Sequence, residues 1–206
     1  MMTPGLRILV GALALASGLS GQRPAVDIRF SPRSDAFAAA TREYEAIWSA
    51  EGVRVIEIME RVSRLKFLES GIRAIVFEGV SQSGLGDTPM MLRASYPADT
   101  KKATLIHELG HRHLAQLKLR PRDIDEHRVL FLVLYDMWVE LYGEQFAKEQ
   151  VGVEKQRRGL YDYEAAWNWA LSLSREDRRM RFQEVLQQNG RDSRNELLCG
   201  EPLRPD

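Results

Sequence analysis

The chain alternates between long stretches of helical hydrophobic spacing and two short β-like runs. From Phe37 to Leu68, apolar residues recur on one helical face: Phe37, Tyr44, Ile47, Trp48, Val55, Ile58, Met59, Val62 and Leu65. Ser34-Asp35 supplies a start signal, Gly52 is positioned to break the stretch into two helices, and Gly71 ends it. Residues 22–33, with their Pro and Arg, read as a linker or a short first strand. Ile72–Val80 and Met90–Tyr96 are rich in β-formers and read as strands, separated by the polar, glycine-bearing turn Ser81–Asp87. A helix capped by Asp99 or Thr100 runs to about Lys118 and is closed by Pro121. A longer one spans about Arg122 to Lys155, and its centre, Val129–Tyr142, carries only Asp136 and Glu140 as charges. Two more helices cover Tyr163–Leu173 and the stretch from Ser174, where Ser174 and Asp177 make a capping box, to Gly190. The pattern predicts one α+β domain, mainly helical, with a small sheet ahead of the helix that starts near residue 100.

The first residues do not fit that domain. Arg7 precedes an apolar run, Ile8 to Leu19, followed by the small residues Ser20 and Gly21. That is a secretory signal pattern, too short to be a comfortable membrane span. The expected organisation is a signal peptide or anchor over 1–21, one domain over 22–190, and a polar tail over 191–206. The protein is accordingly expected to be exported, periplasmic or secreted, and membrane-attached only if the first segment is uncleaved. Cys199 is the only cysteine among 206 residues, so no intramolecular disulfide can form and a cysteine-based metal site is excluded. Hydrophobic residues make up 44% and charged residues 28%, enough for a sizeable core. Lys and Arg number 29, as do Asp and Glu, so nothing points to a nucleic-acid partner.

The candidate chemistry lies in the helix after the strands. His107-Glu108-Leu109-Gly110-His111 spells H-E-x-x-H. Positions i and i+4 share one helical face, so two imidazoles can grip one zinc ion while Glu108 reaches a water on it. The chain has four histidines, His107, His111, His113 and His127. His113 is two residues past His111 and points about 200° round the helix, which reads as an ordinary polar-face position.

A catalytic zinc takes three protein ligands. Glu126, His127, Asp136, Glu140 and Glu144 are the downstream candidates. Asp136, Glu140 and Glu144 recur every four residues and form one acidic stripe, which needs positive charge opposite: a metal site, or arginines of the first helix. Glu140 lies deepest in the apolar stretch and is the expected third ligand, with Glu144 as a hydrogen-bond acceptor for a ligand histidine. His127 is the rival ligand.

His107-Glu-Leu-Gly-His111 followed by Glu140-Leu-Tyr-Gly-Glu144 resembles the zincin metallopeptidases of the gluzincin type, and the order of elements over about residues 35–150 resembles their small single-domain members, the minigluzincins. Glu144 departs from the usual Asp or Asn. The metzincin extension is absent, with Leu114 and Leu117 at its Gly and His positions. The resemblance implies one Zn²⁺ per chain held by His107, His111 and Glu140. It also implies Glu108 as general base, a peptide or protein substrate, and an extended peptide pairing with the strand at Met91–Ser95. Tyr135, Tyr142, His127, Tyr161 and Tyr163 are the candidate oxyanion stabilisers. Two other readings stand beside it: a metal-binding, non-hydrolytic envelope protein, and an interaction protein using Trp48, Trp138, Trp167 and Trp169 as a partner surface. For those tryptophans, core positions are the plainer account.

Overall fold

The computed structural model describes residues 26–115, 125–159 and 161–190. The expected signal segment, Pro121, Cys199 and the C-terminal tail lie outside the described residues. A three-stranded sheet comes first, followed by a mainly helical remainder, the α+β arrangement that the hydrophobic pattern predicts. Strand β1 (Asp27–Pro32) leads into helix α1 (Ala38–Ser63), which returns the chain to β2 (Gly71–Phe77); β3 (Met90–Arg93) completes the order β1-β2-β3, all parallel. Ile72, Ala74 and Val76 alternate inward along β2 and join Ile28, Met90 and Leu92 in the core.

Helix α1 differs from its sequence reading at two points. Gly52 does not break it. A Cβ there would come within 2.8 Å of the Trp48 ring, so this position serves close packing rather than a turn. The helix ends at Ser63, short of Gly71, with Arg64 in the left-handed region at φ 60.

Helix α2 (Ala98–Ala115) carries the H-E-x-x-H motif and is enclosed on nearly all sides, with every residue from Thr100 to Leu114 except Lys102 buried. The single long helix expected after it is two: α3 (Glu126–Tyr142) and α4 (Glu144–Lys155), hinged at Gly143 with φ 89 and ψ 168. Apolar spacing continues through that glycine, so periodicity alone does not reveal the break; the positive φ does. Helices α5 (Tyr163–Ser172) and α6 (Arg175–Gly190) follow. The Ser174 capping box forms as expected: the Asp177 N–H donates to Ser174 Oγ at 3.1 Å. Trp138 and Trp167 are fully buried, and Trp167 stacks on Phe131 with centroids 3.8 Å apart, so these two belong to the core and not to a partner surface. No helix among the described residues is long and apolar enough to cross a membrane.

Candidate metal centre

Helix α2 presents His107 and His111 one turn apart, and their Nε2 atoms face each other at 3.0 Å. Two nitrogens held about 2.05 Å from a tetrahedral zinc would stand about 3.3 Å apart, so the pair needs little adjustment to share an ion. The third donor comes from the first turn of α3. A Cβ at Gly110 would sit 2.6 Å from Leu130 Cδ1, so α3 crosses α2 where the helix has no side chain in the way. His127 lies three residues before Leu130 and four before Phe131, on the face that meets α2. Its ring centroid is 4.8 Å from that of His111 and 5.6 Å from that of His107. One ring nitrogen from each of the three buried histidines falls within 4.8 Å of the others. His127 Nδ1 is buried with no hydrogen-bond partner among the described residues, a costly state for a lone imidazole.

The expectation of Glu140 as third ligand is therefore corrected. Glu140 lies 13 residues beyond His127 on α3, about 20 Å along the axis and about 220° round it. Its carboxylate pairs with Arg61 at 2.5 Å and with Arg175. Asp136 accepts from Arg178 at 2.6 Å. The acidic stripe does meet positive charge, but from arginines of α1 and α6. Glu144 is exposed and pairs with Lys148 at 2.7 Å, not with a histidine.

The carboxylates that do support the histidines escaped the sequence reading in this role. Glu154, on α4, places Oε1 2.8 Å from His107 Nδ1, and Glu126 places Oε1 2.8 Å from His111 Nδ1. A carboxylate on the far ring nitrogen orients an imidazole and makes it a stronger donor. Burial works against ionisation of Glu154, yet His107, Arg157 and the indole N–H of Trp167 (3.0 Å) together hold its carboxyl at about 2. The hydrogen bond with His111 holds Glu126 below the usual carboxylate range. Burial, with His107 and His111 beside it, drops His127 to about 3, so this ring stays neutral and free to donate a lone pair.

Glu108 is 4% exposed, and burial raises its carboxyl above the ordinary range despite His107, His111 and Arg157 nearby. It lines a cavity of about 760 Å³ together with all three clustered histidines, Tyr161, Tyr163 and Arg157. Burial pushes the Tyr163 hydroxyl up to about 12, so it stays protonated as a donor. Arg157 reaches Thr104 Oγ1 at 3.2 Å and lies 5.6 Å from the Tyr163 ring centre. Of the five expected oxyanion candidates, His127, Tyr161 and Tyr163 line this cavity. Tyr142 bonds Glu51 instead, and Tyr135 lies beneath the Arg178 guanidinium.

Two further expectations change. His113 is buried in the core, stacked on Phe67 at 5.4 Å with Nε2 2.8 Å from Ser63 Oγ, because α2 is packed on every side. The outer edge of β3 is not open: Gln82 runs antiparallel to it and exchanges both backbone hydrogen bonds with Met91, at 2.9 and 2.8 Å. The segment Val80–Ser83 thus forms the cavity wall on the sheet side.

Comparison of the chain with protein-family models, with curated proteins and with solved structures finds no match.

Proposed function

We propose that this protein is a zinc-dependent metallopeptidase that hydrolyses peptide bonds in the cell envelope or outside the cell. The observation that carries the reading is the buried triad His107, His111 and His127 with Glu108 beside it in one cavity. Three imidazoles with carboxylates behind two of them match the donor set of a catalytic zinc site, three protein ligands and one open position. A bound zinc ion would polarise a carbonyl and lower the pKa of a water toward about 7.

The chain's own groups account for the remaining steps. Glu108 accepts a proton from the attacking water and passes it to the leaving amine, the role that its buried position beside the three histidines allows. Tyr163 and Arg157 supply donors for the charge that develops on the carbonyl oxygen. Glu154 and Glu126 hold the rings of His107 and His111 in place. A structural metal site has no use for the buried base, which favours hydrolysis over simple metal binding. The zincin resemblance rests on the H-E-x-x-H helix, with His127 in place of a glutamate as third ligand.

Glu108→Gln tests the reading. Hydrolysis of a mixed peptide pool should fall about 10²- to 10⁴-fold while zinc content stays at wild-type level. Hydrolysis at the wild-type rate in that variant would contradict it.

A further inference from the structure

The charges lining the cavity are unevenly committed. Its carboxylates, Glu108 and Glu126, belong to the proposed base and to His111. Its arginines number three, Arg93, Arg157 and Arg158. Arg157 is assigned to the developing oxyanion, and one of its nitrogens already meets Glu154 Oε1 at 3.4 Å and Thr104 at 3.2 Å. Arg93 spends its Nε on the Gly79 carbonyl at 2.8 Å, with Glu78 at 3.3 Å, and its terminal nitrogens have no hydrogen bond among the described residues. Arg158, exposed in the turn that follows α4, makes no hydrogen bond or ion pair among the described residues. Arg93, whose guanidinium also lies 5.3 Å over the Tyr96 ring, stands at the end of a strand and Arg158 beyond a helix, so two separate elements bring arginines to the cavity that holds Glu108. Val80, Val153 and Tyr161 line the same cavity and are 68%, 39% and 47% exposed, an apolar surface beside the cations.

A guanidinium is the side chain best matched to a carboxylate, which it binds through two parallel hydrogen bonds. An arginine with no ion pair among the described residues, at the cavity rim, favours substrates carrying negative charge. We propose that the cavity selects peptides bearing a carboxylate close to the scissile bond, bound by Arg158 with Arg93 as the second cation, and flanked by apolar side chains. The carboxylate is that of an acidic side chain or of a free C-terminus. This inference rests on the peptidase reading.

Binding separates it from catalysis. Fluorescein-labelled octapeptides would be titrated by anisotropy against the full-length, zinc-loaded Glu108→Gln protein. One set is amidated and carries Glu, Gln or Lys at each central position in turn; a neutral peptide is compared with free and amidated C-termini. The Glu peptide should bind about tenfold or more tightly than its Gln twin at one position. Adding Arg158→Glu should abolish that advantage and favour Lys, whereas Arg158→Lys should keep part of it. An advantage confined to the free C-terminus, and lost in Arg158→Glu, would support the same subsite with the terminal carboxylate as its ligand. Equal affinity across the peptides, no binding of any of them, or a Glu preference that survives Arg158→Glu would overturn the proposal. Cleavage of the same Glu, Gln and Lys peptides by the wild-type protein is scored in parallel: cleavage without charge preference removes this inference alone, and absence of cleavage of every peptide removes the peptidase reading.

Discussion

The two ends of α3 carry charged and polar residues to opposite uses. At its first turn, Glu126 and His127 face α2 and the cavity, and close the cluster with His107 and His111. Three turns on, Asp136 and Glu140 meet Arg61, Arg175 and Arg178 in an ion-pair network that ties α3 to α1 and α6. Both ends put polar groups in an apolar setting. The difference is that the far end is closed by permanent cations, whereas the near end gathers three imidazoles around one point. Cations already in place leave a carboxylate nothing to bind. A cluster of three imidazoles converging on one point is the arrangement that a metal ion completes.

Breaking the far end should cost the most stability and leave the metal alone. Asp136 and Arg178 have side chains only 9% and 6% exposed. Arg178→Met leaves the carboxylate only Arg175, at 3.9 Å, and should destabilise the fold by about 2–4 kcal/mol in urea unfolding. The zinc content of the folded fraction should not change.

A pH titration sharpens the contrast between core and cavity histidines. Burial lowers His113 to about 4 from its ordinary 6.5. Between those values the unfolded chain binds a proton that the folded chain refuses, so stability should fall as pH drops from about 6.5 to 4, by up to roughly 3 kcal/mol. His113→Gln should reduce that slope, with His127 carrying part of what is left, while zinc content is retained. An unchanged slope would place the acid sensitivity elsewhere.

The carboxylates behind the ligands should act more mildly. Glu154→Gln should weaken zinc affinity about 10- to 100-fold in a competition titration with a chelating dye. Glu126→Gln should weaken it less, because its side chain is 55% exposed whereas that of Glu154 is 2% exposed.

The legible parts of the molecule are those with local geometry. His107, Glu108 and His111 follow from helical spacing, and the small sheet and the helices around it follow from hydrophobic period. The third donor does not, because it depends on where α3 crosses α2. That crossing is set by Gly110 against Leu130, and the sequence shows the glycine without its neighbour. The acidic stripe on α3 does need positive charge opposite, but Arg175 and Arg178 lie 35 to 42 residues away and only folding reveals them. His127 carried a signal all the same. It shares a helical face with Leu130 and Phe131, whereas Glu140 does not share it. His113, on a polar-face position by spacing, is buried because a helix packed on nearly all sides has no polar face to offer.

The most direct test is zinc content per chain, measured side by side for the wild type, His127→Ala and Glu140→Ala. The account expects about one zinc in the wild type and in Glu140→Ala, and loss of zinc in His127→Ala. Zinc kept without His127 but lost without Glu140 would contradict it.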